Sequence, residues 1–510
     1  MGQRKKRIAI NSATNVGFHF LRLFIAIFMT PFLLTRLGPE VYGIMPLVNS
    51  CIAFVILASG GIQNSVGRYF TLHLAKKEYE EANRYASTAF VLLAGITALA
   101  FAPFVFFAWS FPNLLEVPAG HEMEARIVVL LLGINVFVPI VFSPHTIGLY
   151  ARQRFDLKNL VSLLTQILYV VAVIGTFIYI EANIVYLAAA TLFSNILATV
   201  LQARLSKRLV PTLKVSRKLF DRSKLKEVGA YSFWIFVTQI NVLLFLNTDY
   251  IIINKFLGSA DVTGYSLAAR WNEMIRSVVI AAVGVLTPLI TELEANQNYE
   301  RIRSVMTRGL RLVFVLVTPP AVLLTLFSKE LLTAWVGAEY VNVAPVFWAS
   351  ILPLIIILSA MPAQSVLTGM GKVKWVAIVN LFSATANVLL SIAFIVFLEL
   401  GIVGVALGSS IALVFKNVFF IPFYAGRVVG LPARRYFKEF IRPLIGLIPM
   451  CCMAIYLQSH FSLYGWMRLL SASALCAALY ALTAYFLIFN AEDKNDVKAI
   501  LRRFFHIKQR

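Results

Sequence analysis

A carboxylate stands inside an apolar run. In LLFLNTDYIIINKFLG, residues 243–258, ten of sixteen side chains are apolar and Asp249 lies among them. A lone charge at the centre of a bilayer costs about 2.5–3.5 kcal/mol on insertion scales, so Asp249 needs a partner or a task. A turn follows near 257–262, and Arg270 lies about as far beyond it as Asp249 lies before it. At 1.5 Å per residue both sit about 12 Å below the outer end of a helical hairpin, a depth match that allows an ion pair. Two readings stay open: a fixed staple between two helices, or a titratable or cation-responsive switch. Glu273, three residues after Arg270, competes for the same guanidinium.

Other polar residues fall in stripes. Ser12, Asn15, His19 and Arg22 share an arc of about 80° on a helix. Arg22 lies about 15 Å from the start of its apolar segment, too deep to reach water easily, so the stripe is expected to face an aqueous path. Asn49, Gly60, Gly61, Gln63 and Asn64 follow on the next segment, which ends near Arg68, and the glycine pair fits packing or a kink better than a ligand site. Ser266, Arg270, Glu273 and Ser277 share a face with Arg276 beside it. Asn380, Ser383, Asn387 and Ser391 share another, where interhelical hydrogen bonds of about 0.6 kcal/mol each are the plainer explanation. Lys416 either snorkels or faces the path, and GVALG (404–408) is a small-residue packing motif. These residue types would suit an anionic substrate: Asn15, His19, Arg22, Asn64, Arg270, Arg276 and Lys416 to bind it, with Asp249 and Glu273 as coupling or switch groups.

The elements that carry these stripes must be membrane helices. Of 510 residues, 59% are hydrophobic and 14% charged, against roughly 25% charged in soluble domains. Segments of about 20 apolar residues fall near 12–35, 41–65, 86–110, 127–148, 159–180, 184–203, 229–254, 264–289, 308–328, 343–366, 375–398, 402–424, 438–458 and 467–489. That makes an all-α membrane protein of about fourteen spans; the alternation of a membrane barrel is missing. The first segment has no small-residue cleavage site and is expected to stay as a span. Lys6 stands where a myristoylation signal needs Ser or Thr. Cys51, Cys451, Cys452 and Cys476 all fall in apolar segments without metal spacing and are expected to pack.

The net charge of +22 does not indicate nucleic acid. With an internal N-terminus most Lys and Arg fall on the cytoplasmic side, leaving Arg36, Arg126, Lys255, Lys329 and Arg468 outside. This is the positive-inside pattern, and it predicts both termini in the cytoplasm.

The chain also repeats itself. Leu37-Gly38 matches Leu257-Gly258, Tyr79-Glu80 matches Tyr299-Glu300, and Arg154-Phe155 matches Lys374-Trp375, each 220 residues on. Six spans per copy is an even number, so the copies share an orientation and an axis along the membrane normal, as in parallel-repeat transporters. The expected division is a six-helix lobe over 1–203, a basic cytoplasmic linker over 204–227, a second six-helix lobe over 228–430, and two further spans with a basic tail over 431–510.

The stretches LLTRLGPEVYGI, GIQNSVGRYFTLHLAKKEYEEANR, GLYARQRFDLKNL and DYIIINKFLGSADVTGYSLAAR resemble the polysaccharide transporter family. These are the O-antigen and exopolysaccharide flippases of the multidrug/oligosaccharidyl-lipid/polysaccharide superfamily, and the resemblance spans about residues 10–430. It implies a V-shaped pair of lobes. It also implies movement of an undecaprenyl-pyrophosphate-linked oligosaccharide across the cytoplasmic (inner) membrane by alternating access, driven by an H+ or Na+ gradient. The implied partners are that lipid-linked glycan, membrane lipids and other polysaccharide-assembly proteins, with no cofactor and no nucleic acid. A peptidoglycan-precursor flippase and a drug or cation antiporter are alternatives within the superfamily. A membrane glycosyltransferase or polymerase would want a larger external loop than SFPNLLEVPAGHEMEAR (110–126), so no enzymatic activity is expected.

Overall fold

The computed structural model describes residues 2–225 and 247–495; within these, the side chains of 2–16, 18–20, 22, 54–61, 64, 68, 433 and 442 are outside the description. The described residues are helical throughout, with no strand among them. Among the described residues eleven helices are long and apolar enough to cross a membrane, and Leu447–His460 is a shorter apolar helix. The expected span 229–254 lies largely outside the described residues. The expected span 438–458 is split: an amphipathic helix, Ala433–Leu444, ends at a turn over 445–446, and the apolar helix begins at Leu447.

The chain forms two compact units, Met1–Ser266 and Leu267–Arg510. The first holds the helices Gly2–Ala75, Tyr79–Leu114, Glu122–Ala151, Phe155–Tyr179 and Ile184–Leu209. Gly2–Ala75 is interrupted at Gly38, whose φ of 75° and ψ of 163° end one helical run before Pro39 opens the next. A glycine takes that backbone without the Cβ penalty, and proline suits a first helical turn.

The duplication is visible in the backbone. Gly258, 220 residues after Gly38, also has a positive φ, and Gln297 repeats the positive φ of Lys77 at the same distance. The turn hydrogen bond from Glu78 N to His73 O recurs from Asn298 N to Leu293 O. The third match needs correction. Arg154 N bonds to Leu149 O, and the equivalent bond runs from Lys372 N to Leu367 O. The following helices start at Phe155 and Val373. The register there is 218, so Arg154 corresponds to Lys372 rather than Lys374; the second copy is two residues shorter between the second and third matches.

In the first unit a strap over 210–224 lies on the Tyr79–Leu114 helix, held by the side chains of Glu81, Asn83, Ser87 and Thr88. Asn83 donates to Thr212 O and accepts from Lys214 N. Ser87 accepts from Ser216 N, and Thr88 accepts from Asp221 N. Lys224 pairs with Glu81 at 2.9 Å. Much of the basic connection is thus an ordered part of this unit. The opposite end of this unit is tied as well: Asn254, fully buried, accepts from Glu116 N and donates to Glu116 O, and Ser259 donates to the same carbonyl.

The second unit is built around Tyr299–Leu326, packed by Met361–Gly369, Ile421–Val429 and Ala433–Leu444 through Leu310, Ala363, Ile421 and Tyr436. Val373–Val396 and Gly401–Phe415 pack closely. A Cβ on Gly408 would stand 2.7 Å from Ser391 Oγ, so the small-residue motif is a contact surface. Asn387 accepts from Ser409 at 2.8 Å with Asn387 and Ser391 fully buried, which agrees with the packing role expected for that pair.

Candidate functional site

Asp249 is 4% exposed, and its Oδ2 accepts a hydrogen bond from the Tyr265 hydroxyl at 2.7 Å. Tyr250 stands edge-on to the Tyr265 ring, 5.5 Å between centroids. The depth argument that selected Arg270 serves Tyr265 equally, since Tyr265 lies seven residues after Gly258 and Asp249 nine before it. Considering only charged partners missed it. Arg270 belongs to the other unit, and its pairing with Asp249 stays an expectation. Glu273 is exposed.

Arg276 and Lys416 are both held by amides on spanning helices of the second unit. Arg276 Nε donates to Asn272 Oδ1 at 2.6 Å, and Asn272 in turn donates to Ser350 O at 2.8 Å. Lys416 Nζ donates to Asn380 Oδ1 at 3.1 Å. Lys416 also opens a π-helical turn, Lys416–Phe420, within the apolar stretch; such local widening recurs at functional sites. Arg276 and Lys416 are both half-buried cations of this unit. Asn380 therefore serves the cation while Asn387 and Ser391, on the same face, serve packing. Asn272 and Ser350 were not singled out by the sequence pattern; the i, i+4 spacing of Asn272 and Arg276 was the available signal. The side chains of Asn15, His19, Arg22 and Asn64 lie outside the described residues, although their backbone is helical.

Two cavities accompany these groups. In the first unit one of about 300 Å³ mixes polar and apolar walls, among them Gln63, Ser143, Thr146, Tyr150, Lys158 and Gln202. In the second unit one of about 320 Å³ is almost wholly apolar, with Trp271, Pro320, Leu324, Trp466 and Leu470 in its wall.

A buried ionic cluster was also missed. Arg311, 5% exposed, donates from Nη1 to Glu439 and from Nη2 to Asp493, both at 2.6 Å, and Arg308 Nε donates to the other oxygen of Asp493 at 2.7 Å. It joins Tyr299–Leu326 to the amphipathic helix and to the chain beyond the last span. Among the described residues no group of His, Cys, Asp or Glu could hold a metal ion.

Comparison with known proteins fits this architecture. The family model described as "Polysaccharide biosynthesis protein" matches residues 33–345. The chain is 24% identical to the "Uncharacterized membrane protein EpsK" of Bacillus subtilis (strain 168) over 98% of both chains. It is 22% identical to the "Succinoglycan biosynthesis transport protein ExoT" of Rhizobium meliloti (strain 1021), covering 88% of this chain and 87% of that one. Its fold is similar to that of lipid II flippase MurJ in an inward closed conformation, with a TM-score of 0.69 at 17% identity over 94% of this chain and 99% of MurJ. A multi-pass helical membrane protein with this match, the chain belongs to the polysaccharide biosynthesis protein family.

Proposed function

We propose that the protein moves a polyprenyl-pyrophosphate-linked oligosaccharide across the cytoplasmic membrane for surface polysaccharide assembly, by alternating access and coupled to an H+ or Na+ gradient. The observation that carries this reading is the Arg276–Lys416 pair held by Asn272 and Asn380. Two half-buried cations on spanning helices of one unit, each oriented by an amide, suit a pyrophosphate through charge-assisted hydrogen bonds. A cationic drug would meet repulsion there. The name of ExoT, a transport protein of succinoglycan biosynthesis, supports a glycan cargo. Asn15, His19, Arg22, Asn64 and Arg270 are proposed to extend the path, with Asp249 and Glu273 as the groups that respond to the coupling ion. The distribution of Lys and Arg supports cytoplasmic termini.

Deleting the gene tests this. Lipid-linked oligosaccharide should accumulate with its glycan facing the cytoplasm, and surface polymer should be lost. The native chain should restore the polymer; Arg276→Gln with Lys416→Gln should not, at equal membrane abundance. Undiminished surface polymer in the deletion strain would remove the proposal.

A further inference from the structure

The amphipathic helix Ala433–Leu444 is oriented by three inward groups, one fully and two partly buried. Tyr436 is fully buried, Phe440 packs against the same core, and Glu439 is bound by Arg311. On a helical projection Arg434, Lys438 and Ile441 then lie within about 40° of the direction opposite Tyr436, and Ile445 follows in the turn that ends the helix. Their exposure agrees: Arg434, Arg435 and Lys438 are exposed, Ile441 is 62% and Ile445 51% exposed.

Two features of this face call for a specific partner. The only acid of the helix, Glu439, is turned inward to Arg311, and among the described residues no carboxylate meets Arg434, Arg435 or Lys438. Among the described residues the outward cations are thus without a carboxylate, and Tyr436 and Glu439 fix the direction they face. The face also changes character along its axis: cations come first, isoleucines follow, and the apolar helix Leu447–His460 continues with exposed Ile448 and Ile455. From Lys438 to Ile441 the axial rise is about 5 Å, comparable with the depth over which headgroups give way to acyl chains.

We propose that the outward face of Ala433–Leu444 is a binding site for anionic phospholipid of the adjoining leaflet, with Arg434, Arg435 and Lys438 on the headgroup phosphate and Ile441 and Ile445 on the acyl chain. Basic clusters on amphipathic helices bind anionic leaflets through this charge complementarity. The site needs no transported substrate and is independent of the transport reading.

Native mass spectrometry of the full chain in detergent, with equal concentrations of phosphatidylglycerol and phosphatidylcholine, tests it. The native protein should retain several-fold more phosphatidylglycerol. Arg434→Gln/Arg435→Gln/Lys438→Gln should bring retention to near parity, whereas Lys76→Gln/Lys77→Gln, in another exposed basic turn, should keep the preference. If the triple variant does not fold, Lys438→Gln and Arg434→Gln singly should each lower it and Lys438→Arg should preserve it. An unchanged preference in the folded triple variant, or in both single variants, would overturn the proposal. So would displacement of phosphatidylglycerol by equimolar polyprenyl diphosphate, which would assign the face to the cargo.

Discussion

Replacing Asp493 by Asn should be among the most damaging isosteric changes in the second unit. Asp493 is 1% exposed and accepts from Arg308 Nε, from Arg311 Nε and Nη2, and from Asn490 N. Asn keeps the shape and one acceptor but no charge. Arg311, 5% exposed, keeps Glu439 as its charged partner but loses the charge of Asp493, and Arg308 keeps the exposed Glu492 at 3.7 Å. Breaking a buried pair costs about 3–5 kcal/mol, and the retained acceptor puts this case near about 3 kcal/mol. The second unit falls in the size range where each kcal/mol moves Tm by about 2–4 °C, so a fall of about 6–12 °C is expected in a thermal unfolding scan of the detergent-solubilised protein. Glu492→Gln, a surface change at the same arginine, should stay within about 1 kcal/mol. A Tm for Asp493→Asn within about 2 °C of native would refute the claim that this cluster fastens the end of the chain to the Tyr299–Leu326 helix.

Asn83→Ala should free the strap over 210–224, because Asn83 supplies both a donor and an acceptor to its backbone. Limited proteolysis there should speed up by about tenfold, the effect of roughly 1.4 kcal/mol of local stability. The strap should also respond to acid. Hydrogen bonds from Ser223, hydroxyl and backbone, hold the Asp221 carboxyl below its usual range, with Lys224 and Arg84 adding to the effect. A depressed carboxyl stabilises the folded state above its unfolded pKa, and that contribution is lost as pH falls through the folded value. Hydrogen-exchange protection at Asp221 N, corrected for intrinsic rate, should therefore hold from neutral pH to about 4 and fall below it; loss already at pH 6 would contradict this. Asp249→Asn should fold normally, since Asn can still accept from Tyr265, but should not respond to an imposed gradient. Full gradient-driven transport by that variant would leave Asp249 as a staple.

The membrane class and the duplication were legible because both are carried by composition and by residues with few alternatives. Gly38 and Gly258 mark backbone that only glycine takes readily, and the match between them holds at 220. The register slipped at the third match because Arg154 and Lys374 are alike in charge, while the helix starts that fix the correspondence lie at Phe155 and Val373. Periodicity could not separate Asn380 from Asn387: they share a face, yet one meets Lys416 and the other meets Ser409. What decided their roles was the neighbouring helix, which a single segment does not reveal. The cluster around Arg311 was hidden for the same reason, its acids lying more than a hundred residues away at Glu439 and Asp493. The break at 445–446 escaped because Ile445, Leu447 and Ile448 keep the apolar count high across the turn.

The central claim is gradient-coupled movement of an anionic lipid-linked glycan past Arg276 and Lys416. Its most direct measurement uses the purified full chain in liposomes with a defined polyprenyl-pyrophosphate oligosaccharide, following exposure of the glycan to an external glycosidase under imposed proton or sodium gradients. The native protein should expose the glycan faster than protein-free liposomes, and faster with one of the gradients than without. Arg276→Gln/Lys416→Gln should slow this at least about tenfold, the effect of losing about 1.4 kcal/mol of binding, while remaining folded. Exposure no faster than in protein-free liposomes under either gradient, or an undiminished rate in the double variant, would contradict the account.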